Sequence, residues 1–141
     1  MISKKYLKGI GFFISLILID QVSKYLVRHF DGFYICNPGI SFGIKLPEFL
    51  FWILWILIIS ALIYSILKSS SSINFYLLFF VLAGAVSNII DRLYFECVLD
   101  FIDLKVWPIF NLADTFISLG AIAIIIMILK TNSHNSKKIV F

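Results

Sequence analysis

The sequence predicts an all-α membrane protein with four transmembrane helices, a small extracytoplasmic β-hairpin or cradle, and a short outer amphipathic segment. Of the 141 residues, 61% are hydrophobic and 14% are charged, whereas a soluble domain is nearer half apolar and a quarter charged. The mean hydropathy is +1.01. Four apolar segments are each about as long as the roughly 20 residues that span the hydrocarbon core of a bilayer.

The predicted spans cover residues 7–27, 49–67, 73–92 and 112–130, within a single domain of residues 1–141. The first span follows a basic start and therefore also resembles a signal peptide. It lacks a small-x-small cleavage site, and we interpret it as a retained helix. The second span contains no charged residue.

The connections between the spans differ in character. The inner loop, residues 68–72, is a short Ser-rich turn, so the second and third helices form an antiparallel hairpin. The outer segment 29–47 contains the turn sequence Asn37-Pro38-Gly39 between apolar stretches, which predicts a small hairpin or cradle on the membrane surface. The outer segment 93–110 is amphipathic and carries Trp107.

The distribution of charge predicts the orientation. The side that holds both termini carries seven bases and no acid: Lys4, Lys5, Lys8, Lys68, Lys130, Lys137 and Lys138. The other side and the adjoining helix ends hold all eight acids: Asp20, Asp31, Glu48, Asp91, Glu96, Asp100, Asp103 and Asp114. The positive-inside rule therefore places the termini in the cytoplasm and the acids at the outer face. The bases form no patch with interleaved aromatics, so nucleic acid is not an expected partner.

Cysteine and histidine show no metal-binding or redox spacing. Two cysteines on an oxidising side can pair, but we expect Cys36 and Cys97 to be unlinked packing residues, because free Cys behaves as a small buried hydrophobe. His29 and His134 are isolated, and no cluster has ligand spacing, so we expect no metal and no cofactor. The sequence contains no Ser–His or Cys–His arrangement that would indicate a serine or cysteine nucleophile.

Asp100 and Asp114 are charges in a sequence otherwise suited to lipid. A charge inside a membrane helix costs about 3 kcal/mol or more and usually marks a function. Two carboxylates that meet at one site suggest acid–base chemistry, because close like charges push their pKa values apart. Helix capping by Asn111 and Asp114 is an alternative explanation. The same end of the bundle also receives Asp20 and Asp91, which is more than capping needs.

The third helix carries a polar stripe. Gly84, Asn88 and Arg92 fall at i, i+4 and i+8, on one face. Helix packing explains a small residue and an interhelical amide, but it does not easily explain the polar and charged residues that crowd the outer end. Asp20 and Lys24, also at i and i+4, fit either a structural ion pair or a supporting role at a site.

Five motifs in order resemble those of the lipoprotein signal peptidase family, also called signal peptidase II: Asp20-Gln21-x-x-Lys24, Asn37-Pro38-Gly39-Ile40-Ser41-Phe42, Gly84-Ala85-x-x-Asn88-x-x-Asp91-Arg92, Leu99-Asp100-Phe101 and Phe110-Asn111-Leu112-Ala113-Asp114. The resemblance implies a multi-pass aspartyl endopeptidase of the bacterial inner membrane, with its site at the outer face. It implies removal of signal peptides from prolipoproteins, with the cut before a cysteine that carries a diacylglyceryl group. The expected partners are that substrate and membrane lipids, and we expect a monomer without cofactor.

Carried over motif by motif, the resemblance assigns the catalytic pair to Asp100 and Asp114. It assigns the lining or support of the substrate site to nine further residues: Asp20, Lys24, Asn37, Gly84, Asn88, Asp91, Arg92, Asn111 and Ala113. Asp91 is the alternative member of the pair, and we prefer Asp100. In such a pair one carboxylate takes a proton from water while the other, protonated, donates to the scissile carbonyl.

Two other functions are compatible with parts of the pattern. A small four-helix proton- or cation-coupled transporter would carry the ion on Asp20 or Asp114, and it predicts an acid near the bilayer midplane that faces a cavity. The position of the acids at one outer end disfavours it. A noncatalytic assembly factor predicts that Asp100→Asn and Asp114→Asn each preserve activity.

Overall fold

The computed structural model describes residues 3–39 and 47–138. Its elements in chain order are α1 (Lys4–His29), β1 (Ile35–Asn37), α2 (Glu48–Lys68), α3 (Ser72–Phe95), β2 (Val98–Asp100) and α4 (Leu112–Lys138). All four helices are long and apolar enough to cross a membrane, so the predicted four-helix membrane fold is confirmed. Each helix is a few residues longer than its predicted span, because hydropathy delimits only the part that lies in hydrocarbon.

The third helix is the centre of the bundle. It packs against α1, α2 and α4 and also contacts β2. In α3, 50% of the membrane-spanning window is buried, whereas only 6% of the α2 window is buried. Most of the α2 surface is therefore left for lipid, and α3 is the element that places polar residues inside the protein.

The end of the bundle that holds the α1 N-terminus is closed by apolar packing and caps. Ile66, Phe75, Phe79 and Leu82 form a buried cluster there. The Ser71 hydroxyl accepts from the Asn74 N–H at 3.4 Å and so caps α3. A second cluster of Leu16, Ala83 and Phe116 continues the core along α3. The polar site described below lies at the other end.

Gly84 allows α3 and α4 to approach closely. A Cβ placed there would collide with the carbonyl oxygen of Ala113 and would lie 2.9 Å from Ile117 Cγ1, whereas a Cβ at Gly11 would meet nothing within 4 Å. We expect Gly84→Ala to lower the free energy of unfolding by about 1–3 kcal/mol, because backbone and side chain must both shift. Gly11→Ala is the matched control, and equal thermal transitions of the two detergent-solubilised variants would contradict the expectation.

The two strands form a small antiparallel sheet that joins distant parts of the chain. The register pairs Ile35 with Asp100, Cys36 with Leu99 and Asn37 with Val98. The predicted hairpin places a partner for β1 within the cradle, in residues 40–43, which lie outside the described residues, so this pairing stays a prediction. The described strand pairs with β2, so the cradle is attached to the segment that carries Asp100.

Cys36 and Cys97 form a disulfide, with their Cα atoms 5.5 Å apart. The expectation of unlinked cysteines is therefore wrong. The two residues lie 61 positions apart in the sequence, and only the pairing of β1 with β2 brings them together. That pairing is a contact between distant segments, and the spacing of the cysteines carries no signal of it.

Candidate functional site

The buried polar side chains of the described residues form one connected network at one end of the bundle. We call these residues the polar cluster: Asp20, Lys24, Ser87, Asn88, Asp91, Asp100 and Asn111. Helix α1 supplies the first two, α3 the next three, β2 supplies Asp100, and Asn111 immediately precedes α4. Buried polar groups are expensive unless they are paired, and here each has a partner.

Lys24 is the charged centre of the layer between α1 and α3. Its Nζ lies 2.6 Å from Asp20 Oδ2 and 2.8 Å from Asp91 Oδ2, and it donates to Asn88 Oδ1 at 3.0 Å. The predicted i, i+4 ion pair of Asp20 and Lys24 is present and is extended by Asp91. One buried ammonium thus serves two buried carboxylates.

Gln21 and Ser87 complete this layer, although neither was among the site residues predicted from the sequence. Gln21 Nε2 donates to the carbonyl and hydroxyl oxygens of Ser87 and to Asp91 Oδ1, at 3.1, 3.0 and 2.9 Å. The Ser87 hydroxyl donates to Asp20 Oδ2 at 2.7 Å. The available signal was local, since Gln21 lies inside the first motif and Ser87 lies four residues before Asp91 on the same face of α3.

The start of α4 is a reciprocal cap. Asn111 Oδ1 accepts the Asp114 N–H at 2.9 Å, and Asp114 Oδ2 accepts the Asn111 N–H at 3.3 Å. This is the capping-box arrangement. Asp20 Oδ1 accepts the Ala113 N–H at 2.9 Å and so satisfies a further free donor of this helix end. The capping interpretation is therefore correct, and it leaves Asn111 Nδ2 and Asp114 Oδ1 available to the site.

Asp100 and Asp114 are held by the same residue, Asn111. Asn111 Nδ2 donates to Asp100 Oδ1 at 2.6 Å, while its backbone N–H donates to Asp114 Oδ2. Asn37 Nδ2 donates to Asp100 Oδ2 at 2.9 Å. Asn88 Nδ2 donates to Asp114 Oδ1 at 2.7 Å. Each carboxylate oxygen of the two acids therefore has an amide donor, and the two acids are immediate neighbours of Asn111.

The directions of these amides are determined by the groups behind them. A lysine ammonium can only donate, so the Asn88 oxygen must face Lys24. The same oxygen accepts from Asn111 Nδ2 at 3.2 Å, and the Asn88 amide nitrogen is left for Asp114. In the same way, the Gly39 N–H donates to Asn37 Oδ1 at 2.9 Å, which turns Asn37 Nδ2 toward Asp100.

The environment of Asp100 disfavours its charged form. Burial raises the pKa of Asp100 to about 6, and the charge of Asp114 acts in the same direction. The hydrogen bonds from Asn37 and Asn111 and the charge of Lys24 oppose this rise. Two neighbouring carboxylates, one with its pKa raised to about 6, can hold a single proton between them at mildly acidic pH, where two ordinary aspartates would both be ionised.

Arg92 connects the polar cluster to the cradle. Its Nη2 donates to the carbonyl of Gly39 at 2.5 Å, and its guanidinium lies 4.9 Å from the ring centre of Phe51. Among the described residues, its buried Nε has no hydrogen-bond partner. Of the eleven residues selected from the sequence, nine belong to the polar cluster or form a hydrogen bond with it, and the other two, Gly84 and Arg92, contact its neighbours Ala113 and Gly39. Residues 40–42 of the second motif lie outside the described residues.

Comparison with known proteins identifies a family with the same sequence pattern and fold. A model of the signal peptidase (SPase) II family matches residues 12–130. A lipoprotein signal peptidase of Thermodesulfovibrio yellowstonii is 36% identical, over 90% of this chain and 97% of its own. Another lipoprotein signal peptidase, from Staphylococcus aureus, is 34% identical, over 96% of this chain and 97% of its own. A bacterial membrane enzyme solved at 2.3 Å resolution is similar in structure, with a TM-score of 0.81, 31% identity and 90% of each chain covered.

Proposed function

The chain belongs to the signal peptidase II family, and we propose that Asp100 and Asp114 are the catalytic pair of this peptidase. The protein is a bacterial membrane peptidase that removes signal peptides from prolipoproteins. The single observation that carries the assignment is the shared Asn111, which donates to both carboxylates. In the described residues, Asp91 is instead engaged by Lys24 and Gln21, which supports a structural role for it.

The proposed reaction is general acid–base hydrolysis. The ionised carboxylate takes a proton from water as the oxygen attacks the scissile carbonyl carbon. The protonated carboxyl donates to the carbonyl oxygen, and a tetrahedral diol results. Return of a proton to the amide nitrogen then lets the C–N bond break. Because the titration belongs to the pair, we leave the proton unassigned between Asp100 and Asp114.

The remaining residues are proposed to support this pair. Asn37, Asn88 and Asn111 hold the carboxylates by the hydrogen bonds described above. Lys24 orients Asn88 and is balanced by Asp20 and Asp91, as the contacts of the polar cluster indicate. Gly84 and Ala113 are proposed to line the site through the close contact of α3 and α4. Arg92 is proposed to bind a substrate carbonyl, since its buried Nε–H has no acceptor among the described residues.

We further propose that the site faces the outside of the cell and that both termini are cytoplasmic. The seven bases on the side of the termini support this orientation. The disulfide near Asp100 supports it independently, because disulfides persist in oxidising compartments and are rare in the cytosol. In this orientation the signal helix of the substrate lies in the membrane, and its cleavage site lies near the outer surface. The chain is proposed to form a single peptidase domain that acts as a monomer.

The transporter hypothesis finds no specific support. It requires an acid near the middle of the membrane, facing a cavity. The fully buried acids of the described residues are Asp20, Asp91 and Asp100, and all belong to the polar cluster at one end of the bundle. Peptidase chemistry accounts for their proximity to Asp114, whereas ion transport does not require it.

The substrate proposal is tested with a matched pair of peptides. Purified protein is given a prolipoprotein peptide with a diacylglyceryl cysteine and the same peptide without the lipid. We expect a cut immediately before the lipidated cysteine. We expect the lipid to be required, because each of its buried CH₂ groups contributes about 0.8 kcal/mol to holding the cleavage site at the membrane. The unlipidated peptide should stay uncut. Equal cleavage of both would refute lipid recognition, and cleavage of neither would refute the proposed function.

A further inference from the structure

Strand β1 has little apolar burial to hold it in place. Ile35 and Cys36 are exposed and Asn37 is partly buried, whereas all three residues of β2 are buried. Among residues 3–39 and 47–138 the sheet has two strands, and an isolated two-stranded pairing is marginally stable in water. Packing therefore fixes β2 within the protein but contributes little to the position of β1.

This weakly buried strand nevertheless carries a group of the proposed site. Asn37 at its end donates to Asp100 Oδ2 at 2.9 Å. Gly39, two residues further on, orients the Asn37 amide and also accepts from Arg92. A small outward movement of β1 would remove the donor from Asp100 and admit water to a carboxylate that is 1% exposed.

The disulfide joins the exposed strand to the buried one. Cys36 directly precedes Asn37, and Cys97 directly precedes β2 and is itself 5% exposed. A covalent bond at this position limits the separation of the strands one residue from Asn37 and three residues from Asp100. It supplies the constraint on β1 that apolar burial does not supply.

We propose that the Cys36–Cys97 disulfide is a positioning element of the active site, which keeps Asn37 on Asp100, and that full peptidase activity requires the oxidised pair. The proposal rests on the proposed function of Asp100. Cys36 and Cys97 are positioning residues rather than catalytic ones, since they act through Asn37. Because Cys36 is exposed, the bond is also accessible to a soluble reductant.

Reduction has a predictable effect on the chemistry. When β1 separates, water reaches Asp100 and relieves the burial that is the main cause of its raised pKa, and water also replaces the lost Asn37 donor, so the pKa of Asp100 falls toward its ordinary value. The other charges that face it are Asp114 from α4, Lys24 from α1 and Arg92 from α3, and these elements are held by helix packing rather than by the disulfide. The pH dependence of cleavage should therefore move to lower pH, while kcat falls as the pair loses its alignment.

The test compares oxidised and reduced full-length protein in detergent with the lipidated peptide. A water-soluble phosphine reduces the disulfide to two thiols and is itself oxidised to the phosphine oxide, with oxygen from water. Peptide mapping after alkylation reports the state of both cysteines. We expect kcat to fall at least about tenfold, as small misplacements of catalytic groups do, with a smaller change in KM, and we expect reoxidation with diamide to restore it.

The control is the double variant Cys36→Ser/Cys97→Ser, which should match the reduced protein and show no further response to the phosphine. Thermal unfolding of every sample checks that the helices remain folded. Reduced protein with unchanged kcat would overturn the proposal, and so would a lower kcat with an unmoved pH profile. Free thiols in protein isolated under alkylating conditions would also overturn it. Activity in Asp100→Asn would instead overturn the proposed function, whatever the state of the cysteines.

Discussion

Replacement of either Asp100 or Asp114 by asparagine is expected to lower kcat for signal-peptide cleavage by about 10²- to 10⁴-fold, the range that a general acid or base contributes. Neither variant retains a pair that can share a proton. Asp103→Asn is the matched control, because Asp103 lies three residues from Asp100 but bonds only the exposed Lys105 among the described residues. We expect its kcat to equal that of the unmodified protein.

The hydrogen bonds make asparagine a disruptive isostere at both positions. Each oxygen of Asp100 and of Asp114 accepts from an N–H donor. An asparagine amide nitrogen at either site would therefore face another donor. Unfolding transitions separate this structural effect from the chemical one. A folded variant at either position that cleaves at a near-normal rate would remove that residue from the catalytic pair.

The pH dependence of cleavage follows from the same environment. Burial and the charge of Asp114 raise the pKa of Asp100 to about 6. Below this pH the pair keeps a proton that an ordinary aspartate has lost, and as the pH rises above it the pair loses the proton that is donated to the carbonyl oxygen. We therefore expect kcat/KM of the free enzyme to fall as the pH rises through about 6. A flat profile from about pH 5 to about pH 8 would contradict this.

Removal of the buried ammonium by Lys24→Met is expected to have the second large effect. Asp20 and Asp91 would lose their shared counter-charge, and an uncompensated charge left by a broken buried ion pair costs about 3–5 kcal/mol. The Asn88 amide would also lose the donor that fixes its direction toward Asp114. Thermal unfolding in detergent measures the loss of stability, and cleavage of the lipidated peptide should be abolished.

An exposed ion pair of the same composition provides the control. Lys105 contacts Asp103 at 2.5 Å, with 84% of its side chain exposed, and pairs in water contribute little to stability. Lys105→Met should leave the unfolding transition unchanged. The double variant Lys24→Met/Asp91→Asn also removes one of the two carboxylates that Lys24→Met leaves without a counter-charge, and it should recover part of the lost stability. A Lys24→Met protein as stable as the unmodified one would refute the role assigned to this ammonium.

Local patterns in the sequence predicted much of the fold and of the site. Hydropathy located all four helices. Helical spacing predicted the contact of Asp20 with Lys24, and the residues at the start of α4 predicted its cap. The ordered motifs, through a family resemblance, selected residues that the structure brings together. The helices, the ion pair and the cap are predictable because the residues that determine each of them lie close together in the sequence, within about one or two helical turns for the ion pair and the cap. The family motifs are recognised from residue types and their order, without knowledge of how the residues are arranged in space.

Contacts between distant segments were not predictable in this way. The pairing of β1 with β2, the disulfide between Cys36 and Cys97, and the hydrogen bonds of Gln21 with Ser87 each join residues far apart in the chain. Gln21 and Ser87 are uncharged, so a burial cost did not mark them as it marked the acids. Their roles depend on which faces of α1 and α3 meet.

By itself, the sequence determined the class of the protein and the residue types at its site, because burial of charge in lipid is so costly that the few retained charges mark function. The tertiary structure alone decided which groups face one another. It placed Lys24 between two carboxylates, turned Asn88 toward Asp114, and joined an exposed strand to a buried one beside Asp100. These arrangements depend on the packing of α1, α3 and α4 and on strand register, and neither is encoded in any single segment.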